Sequence, residues 1–101
     1  MIQFRFLDNH SGFWIKGHSR LDTAGKDILC AAVSSAALMA INIVTDVCGC
    51  RALIRRDDKQ GYLFLSVVSS DAKKAYPIIR GLQLHLQELC RMYPDFIKEV
   101  G

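Results

Sequence analysis

The sequence has no internal repeat, no low-complexity segment and no strong charge of either sign. The first two absences set aside solenoids and disordered tails. With 101 residues, half of them hydrophobic, the chain has the composition of one small soluble domain. A chain of this size holds a single core, so a substrate site must be shallow or shared between subunits. The third absence sets aside an obligatory polyanionic partner. Thirteen basic residues against ten acidic ones leave a net charge of +3, spread along the chain apart from short pairs such as Arg55-Arg56 and Lys73-Lys74.

No export signal is expected either. Arg5 and Asp8 break "MIQFRFLDNH" where a signal peptide would carry its unbroken apolar region. The expectation is a cytosolic protein, and in that reducing compartment Cys30, Cys48, Cys50 and Cys90 are read as thiols. Charge is absent altogether from Ile28 to Thr45, a run to be weighed against the roughly 20 apolar residues of a membrane span. Ser34, Ser35, Asn42 and Thr45 interrupt it and much of the remainder is alanine, so it reads as a buried helix.

Alternation of Ile2, Phe4 and Phe6 with Gln3 and Arg5 gives a strand, "DNHSG" a turn, and "FWIKG" a second strand ending beside His18. The polar segment "SRLDTAGK" reads as a loop. Asp27 suits a helix N-cap, with the helix running to about Val44. "CRALIRR" and "GYLFLSVV" flank "DDKQ" as a second hairpin. Ala72, Ala75, Ile79, Leu82, Leu86, Leu89 and Tyr93 then recur at helical spacing. Pro77 either kinks that helix or marks its start, and Pro94 ends it. "DFIKEV" can add a last strand. The order β-β-α-β-β-α-(β) predicts an α+β domain, a mainly antiparallel sheet with two helices on one or both faces.

Cys30 is the residue with chemistry to offer. A thiolate is stabilised at a helix N-terminus or beside an imidazolium. With Asp27 as N-cap, Cys30 falls on the third helical position, and its backbone N–H and that of Ala31 are candidates for an oxyanion hole. His18 stands at a strand end, joined to the helix by a loop long enough to fold back over it. In contact with Cys30 it would take the thiol proton and return it to a leaving amine. Ser34 lies one turn after Cys30 on the same face. Cysteine is also among the most buried residue types, so spacing alone favours packing over catalysis for Cys30.

Gly17-His18, followed by Gly25-Lys26-Asp27-Ile28-Leu29-Cys30-Ala31-Ala32-Val33-Ser34, resembles the signature of the Prp family of ribosomal-processing cysteine proteases. That pattern is Gly-His-Ala, a glycine-containing loop, then Asp-Ile-Val-Cys-Ala-Ala-Val-Ser; here Ser19 and Leu29 depart from it. The C-terminal "GLQLHLQELCRMYPDFIKE" is similar to the family's last helix and tail. The resemblance implies that residues 1–101 form one cysteine protease domain. It implies Cys30 as nucleophile, His18 as general base and acid, and Asp27 and Ser34 as supporting residues. The loop through Ser19, Asp22, Gly25 and Lys26 becomes a candidate lid. The implied substrate is the short N-terminal extension of large-subunit ribosomal protein twenty-seven, cut by a homodimer that needs no metal or other cofactor. Aromatic residues before the cut imply an apolar pocket, for which Phe13, Trp14, Tyr62 and Phe64 are available, although core packing accounts for them equally well.

Other constellations are weaker. Cys48-Gly-Cys50 has closer spacing than the usual zinc pair and no second pair to join it. His10 in a turn and His85 on the second helix have no readable partners. A second reading is a small RNA-binding or ribosome-assembly dimer module without catalysis. The chain has no RNP signature and no Gly-x-x-Gly loop, however, so no direct nucleic-acid contact is expected and the basic residues read as solvated faces.

Overall fold

The computed structural model describes residues 1–17 and 28–101. The first hairpin pairs β1 (Ile2–Phe6) with β2 (Gly12–Lys16) antiparallel, through a single 3₁₀ turn at Asp8–His10. Asn9 and His10 sit at φ 59° and 54°, a left-handed conformation that asparagine and histidine adopt more readily than most residues. After α1 (Ile28–Asn42), a wider π-type turn covers Ile43–Val47. It closes with Cys48 N–H donating to the Ile43 carbonyl at 2.8 Å, and Gly49 supplies the positive φ that turns the chain out of the helix.

The second hairpin is β3 (Ala52–Asp57) and β4 (Tyr62–Val67), and α2 (Ala72–Met92) follows without a break at Pro77. The helix therefore neither starts at the proline nor divides there. The ring removes one N–H that would serve the Lys73 carbonyl, but Lys73 is exposed and water can replace it. Tyr93 N–H donates to the Leu89 carbonyl at the helix end, and Pro94 follows.

The strand order is β3-β4-β2-β1-β5. All neighbours are antiparallel except β5 (Ile97–Glu99), which runs parallel to β1, so the sheet is mixed rather than wholly antiparallel. Both helices cover one face. Ile2, Phe4, Phe13, Ile15, Leu65, Val67 and Ile97 point into the core, while their neighbours in each strand point away. Against them pack Leu29, Val33, Ala37 and Val44 from α1 and Ala75, Ile79 and Leu86 from α2. Each large side chain buried this way contributes about 1.5–3 kcal/mol. By length and composition Ile28–Val47 could cross a membrane; a third of its apolar window is buried, with Leu29, Val33, Ala37 and Val44 in this core, while Ile28, Met39 and Val47 stay exposed.

His10 has the partner that its sequence context left unreadable. Its Nε2 lies 2.7 Å from Gln83 Oε1 on α2, and its ring meets Tyr76 edge-on at 5.0 Å. It clasps the first hairpin to the second helix.

Candidate active site

Cys30 stands in the first described turn of α1, half-buried, at a cavity of about 220 Å³. The cavity exists because α1 covers the middle of the sheet and leaves β3 uncovered: Ile54 and Arg56, on the helix side of β3, remain exposed. One wall is α1, with Cys30, Val33, Ser34, Ala37 and Leu38. The facing wall is the end of the β3–β4 hairpin, with Arg56, Asp58, Gly61, Tyr62 and Leu63, and Ile2 and Ile15 complete the lining. The lining is largely apolar with a charged rim, where Arg56 Nε meets Asp58 Oδ1 at 2.7 Å.

Of the residues that the sequence singles out, the structure brings Cys30 and Ser34 to one cavity, as their four-residue spacing requires. Ala31 follows in the same turn, exposed. His18, Ser19, Asp22, Gly25, Lys26 and Asp27 lie outside the described residues. The four aromatics part company. Tyr62 borders the cavity, Phe13 is fully buried in the core, and Trp14 and Phe64 belong to the opposite face of the sheet. Arg56, Leu63 and Leu38 were not foreseen: only the strand register brings Arg56 and Leu63 opposite α1, whereas Leu38 lies on α1 itself, one turn after Ser34, where helical spacing could have found it.

The other thiols sit in different surroundings. Cys50 is buried, 3.8 Å from the Asp71 carbonyl. Burial pushes its thiol above the ordinary range, the nearby Asp71 and Cys48 charges add to this, and Lys74 opposes it. Burial likewise raises Cys90; a backbone contact at Glu99 opposes that rise and the Glu99 carboxylate adds to it. Among the described residues no three histidine, cysteine or acidic side chains gather as a metal site.

A consequence can be measured. Near neutral pH, iodoacetamide should label Cys30 before Cys50 and Cys90, read by mass spectrometry of the native protein. Raised native pKa values also mean that the unfolded chain loses these protons first. Stability is therefore retained below the ordinary thiol pKa of about 8.5 and falls as pH rises through the native values. Denaturant melts at rising pH check this, and serine at positions 50 and 90 should flatten the decline.

The family model for cysteine protease Prp matches residues 1–98. The chain belongs to the cysteine protease Prp family. It is thus a cysteine-type endopeptidase. A curated Prp relative, the ribosomal processing cysteine protease Prp of Bacillus subtilis (strain 168), is 26% identical over 106 residues, covering 97% of this chain and 95% of its own. Two solved structures of the S. aureus ribosomal processing protease Prp share the fold at 22% identity. The one with a covalently linked product peptide has a TM-score of 0.83, over 97% of this chain and 94% of its own. The one with a substrate peptide has a TM-score of 0.81, over 99% and 98%.

Proposed function

We propose that this Prp protein removes the N-terminal extension of large-subunit ribosomal protein twenty-seven, as a homodimer acting in the cytosol, with Cys30 as nucleophile and His18 as general base and acid. The observation that carries the reading is the position of Cys30. In a chain of this protease family, Cys30 borders a largely apolar cavity. The B. subtilis relative's name, a ribosomal processing protease, supports the substrate class.

In this mechanism His18 takes the Cys30 proton and the thiolate attacks the scissile carbonyl carbon, forming a C–S bond and a tetrahedral oxyanion. The backbone N–H groups of Cys30 and Ala31 donate to that oxygen. Collapse breaks the C–N bond as His18 returns its proton to the leaving amine. Water, deprotonated by His18, then hydrolyses the thioester and restores the thiol. Asp27 and Ser34 support the pair, and the segment with Ser19, Asp22, Gly25 and Lys26 closes over bound peptide to exclude water. None of these steps calls on a metal or cofactor.

The test is incubation with a synthetic peptide spanning an extension and the first residues of the mature protein. Cleavage at one bond under reducing conditions, blocked by prior alkylation of Cys30, is the expected result. An intact peptide after prolonged incubation, or cleavage that survives alkylation, would overturn the proposal.

A further inference from the structure

The face of the sheet turned away from the helices carries a row of side chains that no local motif announces. Arg55 on β3 pairs with Phe64 on β4, Phe64 with Trp14 on β2, and Trp14 with Arg5 on β1. Directly opposite residues in adjacent strands present their side chains on the same face, so the four form one line across the sheet: arginine, phenylalanine, tryptophan, arginine. At about 4.8 Å per strand the line is about 14 Å long. The two rings are half-buried and both arginines are exposed.

The neighbouring line adds Lys16, opposite Gln3, and Lys98, which also pairs with Gln3. Lys16 reaches back so that its Nζ lies 5.2 Å from the centre of the Trp14 ring. Among the described residues Arg5, Lys16, Arg55 and Lys98 make no ion pair. The one carboxylate in these two lines, Asp57, is turned into its own hairpin, where it accepts from Lys59 N–H at 3.1 Å and Gln60 N–H at 3.3 Å.

The sequence motifs gave no reason to expect nucleic-acid contact, but the cross-strand row does: we propose that this open sheet face binds single-stranded nucleic acid, with Trp14 and Phe64 stacking on bases and Arg5 and Arg55 holding phosphates at either end. Bases stack on aromatic rings, and phosphates need cations beside them; the row carries both, and these cations make no ion pair among the described residues. The guanidinium fork fits phosphate oxygens better than a point charge does. A second copy of the chain is the poorer occupant, since face-to-face packing would set four cations against four. The Cys30 cavity is on the other side of the sheet, so the proposal does not depend on the protease reading.

Trp14 is the single tryptophan of the chain, which makes the face self-reporting. The test is a fluorescence titration with a twelve-nucleotide RNA, DNA of the same sequence and the corresponding RNA duplex, each at low and raised salt. Single strands are expected to quench Trp14 and to bind about ten-fold more tightly than the duplex. The slope of log affinity against log salt should be about −0.7 per phosphate held. Arg5→Gln with Arg55→Gln should reduce that slope by about 1.4, whereas Phe64→Leu should weaken binding about five-fold or more at unchanged slope. Tighter RNA than DNA would identify RNA as the natural source, and equal affinities would assign the shared base-and-phosphate chemistry. Absent quenching would overturn the proposal, as would equal binding of duplex and single strand or indifference to all three substitutions. So would a protein dimer that Phe64→Leu dissociates. Peptide cleavage should be unaffected in every variant, which separates failure here from failure of the protease reading.

Discussion

Replacing Cys30 with alanine is expected to lower kcat/KM for an extension peptide by about 10⁴-fold or more, and replacing His18 with alanine by about 10²–10⁴-fold. The difference in size follows from the division of labour. Without the sulfur there is no covalent intermediate, and what remains is whatever water attack the cavity can assist. Without the imidazole the sulfur is still present, and the fraction ionised at the working pH can still attack. Raising the pH should therefore recover part of the His18→Ala loss and none of the Cys30→Ala loss. The two changes should not add, since they disable one unit: the double variant should be no slower than Cys30→Ala alone. Cys30 keeps its Cβ on substitution, so the cavity between Val33, Ala37 and Leu63 stays formed and peptide should still bind. Peptide binding by Cys30→Ala, measured by calorimetry, and steady-state rates for all three variants provide the check. Activity of Cys30→Ala within ten-fold of the original would remove the nucleophile assignment.

Gly17→Ala should be nearly as damaging, by a different route. Gly17 has φ +99°, where a side chain is strained, and an added Cβ would stand 2.3 Å from the Met1 carbonyl oxygen. The strain costs about 1–3 kcal/mol and the clash with backbone about as much again. The total, about 4 kcal/mol, is a large part of the 5–15 kcal/mol that holds a small domain together. It should lower Tm by about 16–32 °C, read by thermal unfolding. The residue also ties the first hairpin to the second, with its N–H donating to the Gly61 carbonyl at 3.2 Å, and Gly61 lines the Cys30 cavity. Any displacement at Gly17 is passed directly to position 18. Cleavage should fall more than the folded fraction alone accounts for; a variant that melts normally and cuts normally would refute this account of the glycine.

What the sequence disclosed was decided by distance along the chain. Cys30 and Ser34 share a cavity because four residues make about one helical turn, a relation that requires no knowledge of the rest of the fold. The buried stripe of α2, Ala75, Ile79, Leu82, Leu86 and Leu89, was readable for the same reason. Pro77 was ambiguous because ring geometry forbids one hydrogen bond without saying whether packing outweighs the loss, and here the stripe on both sides of it does. Register between strands was beyond reach. Nothing near Arg56 in the chain says that it faces α1, and nothing near Trp14 says that Phe64 stands opposite. The parallel pairing of β5 with β1 was hidden for the same reason, as was the bond from His10 to Gln83.

That parallel pair also orders events in time. β1 leaves the ribosome just before β2, which can join it at once, since a short turn is all that separates them. Its other edge has to wait for Ile97–Glu99, after both helices have been made, with the Phe96 carbonyl accepting from Ile2 N–H at 2.9 Å and the Phe4 carbonyl accepting from Val100 N–H at 2.7 Å. Until β5 is made, β1 carries an open hydrogen-bonding edge, the kind of edge through which nascent chains mispair. Residues 97–100 act as a closing stitch, and removing them should show itself first in aggregation during expression rather than in the chemistry at Cys30.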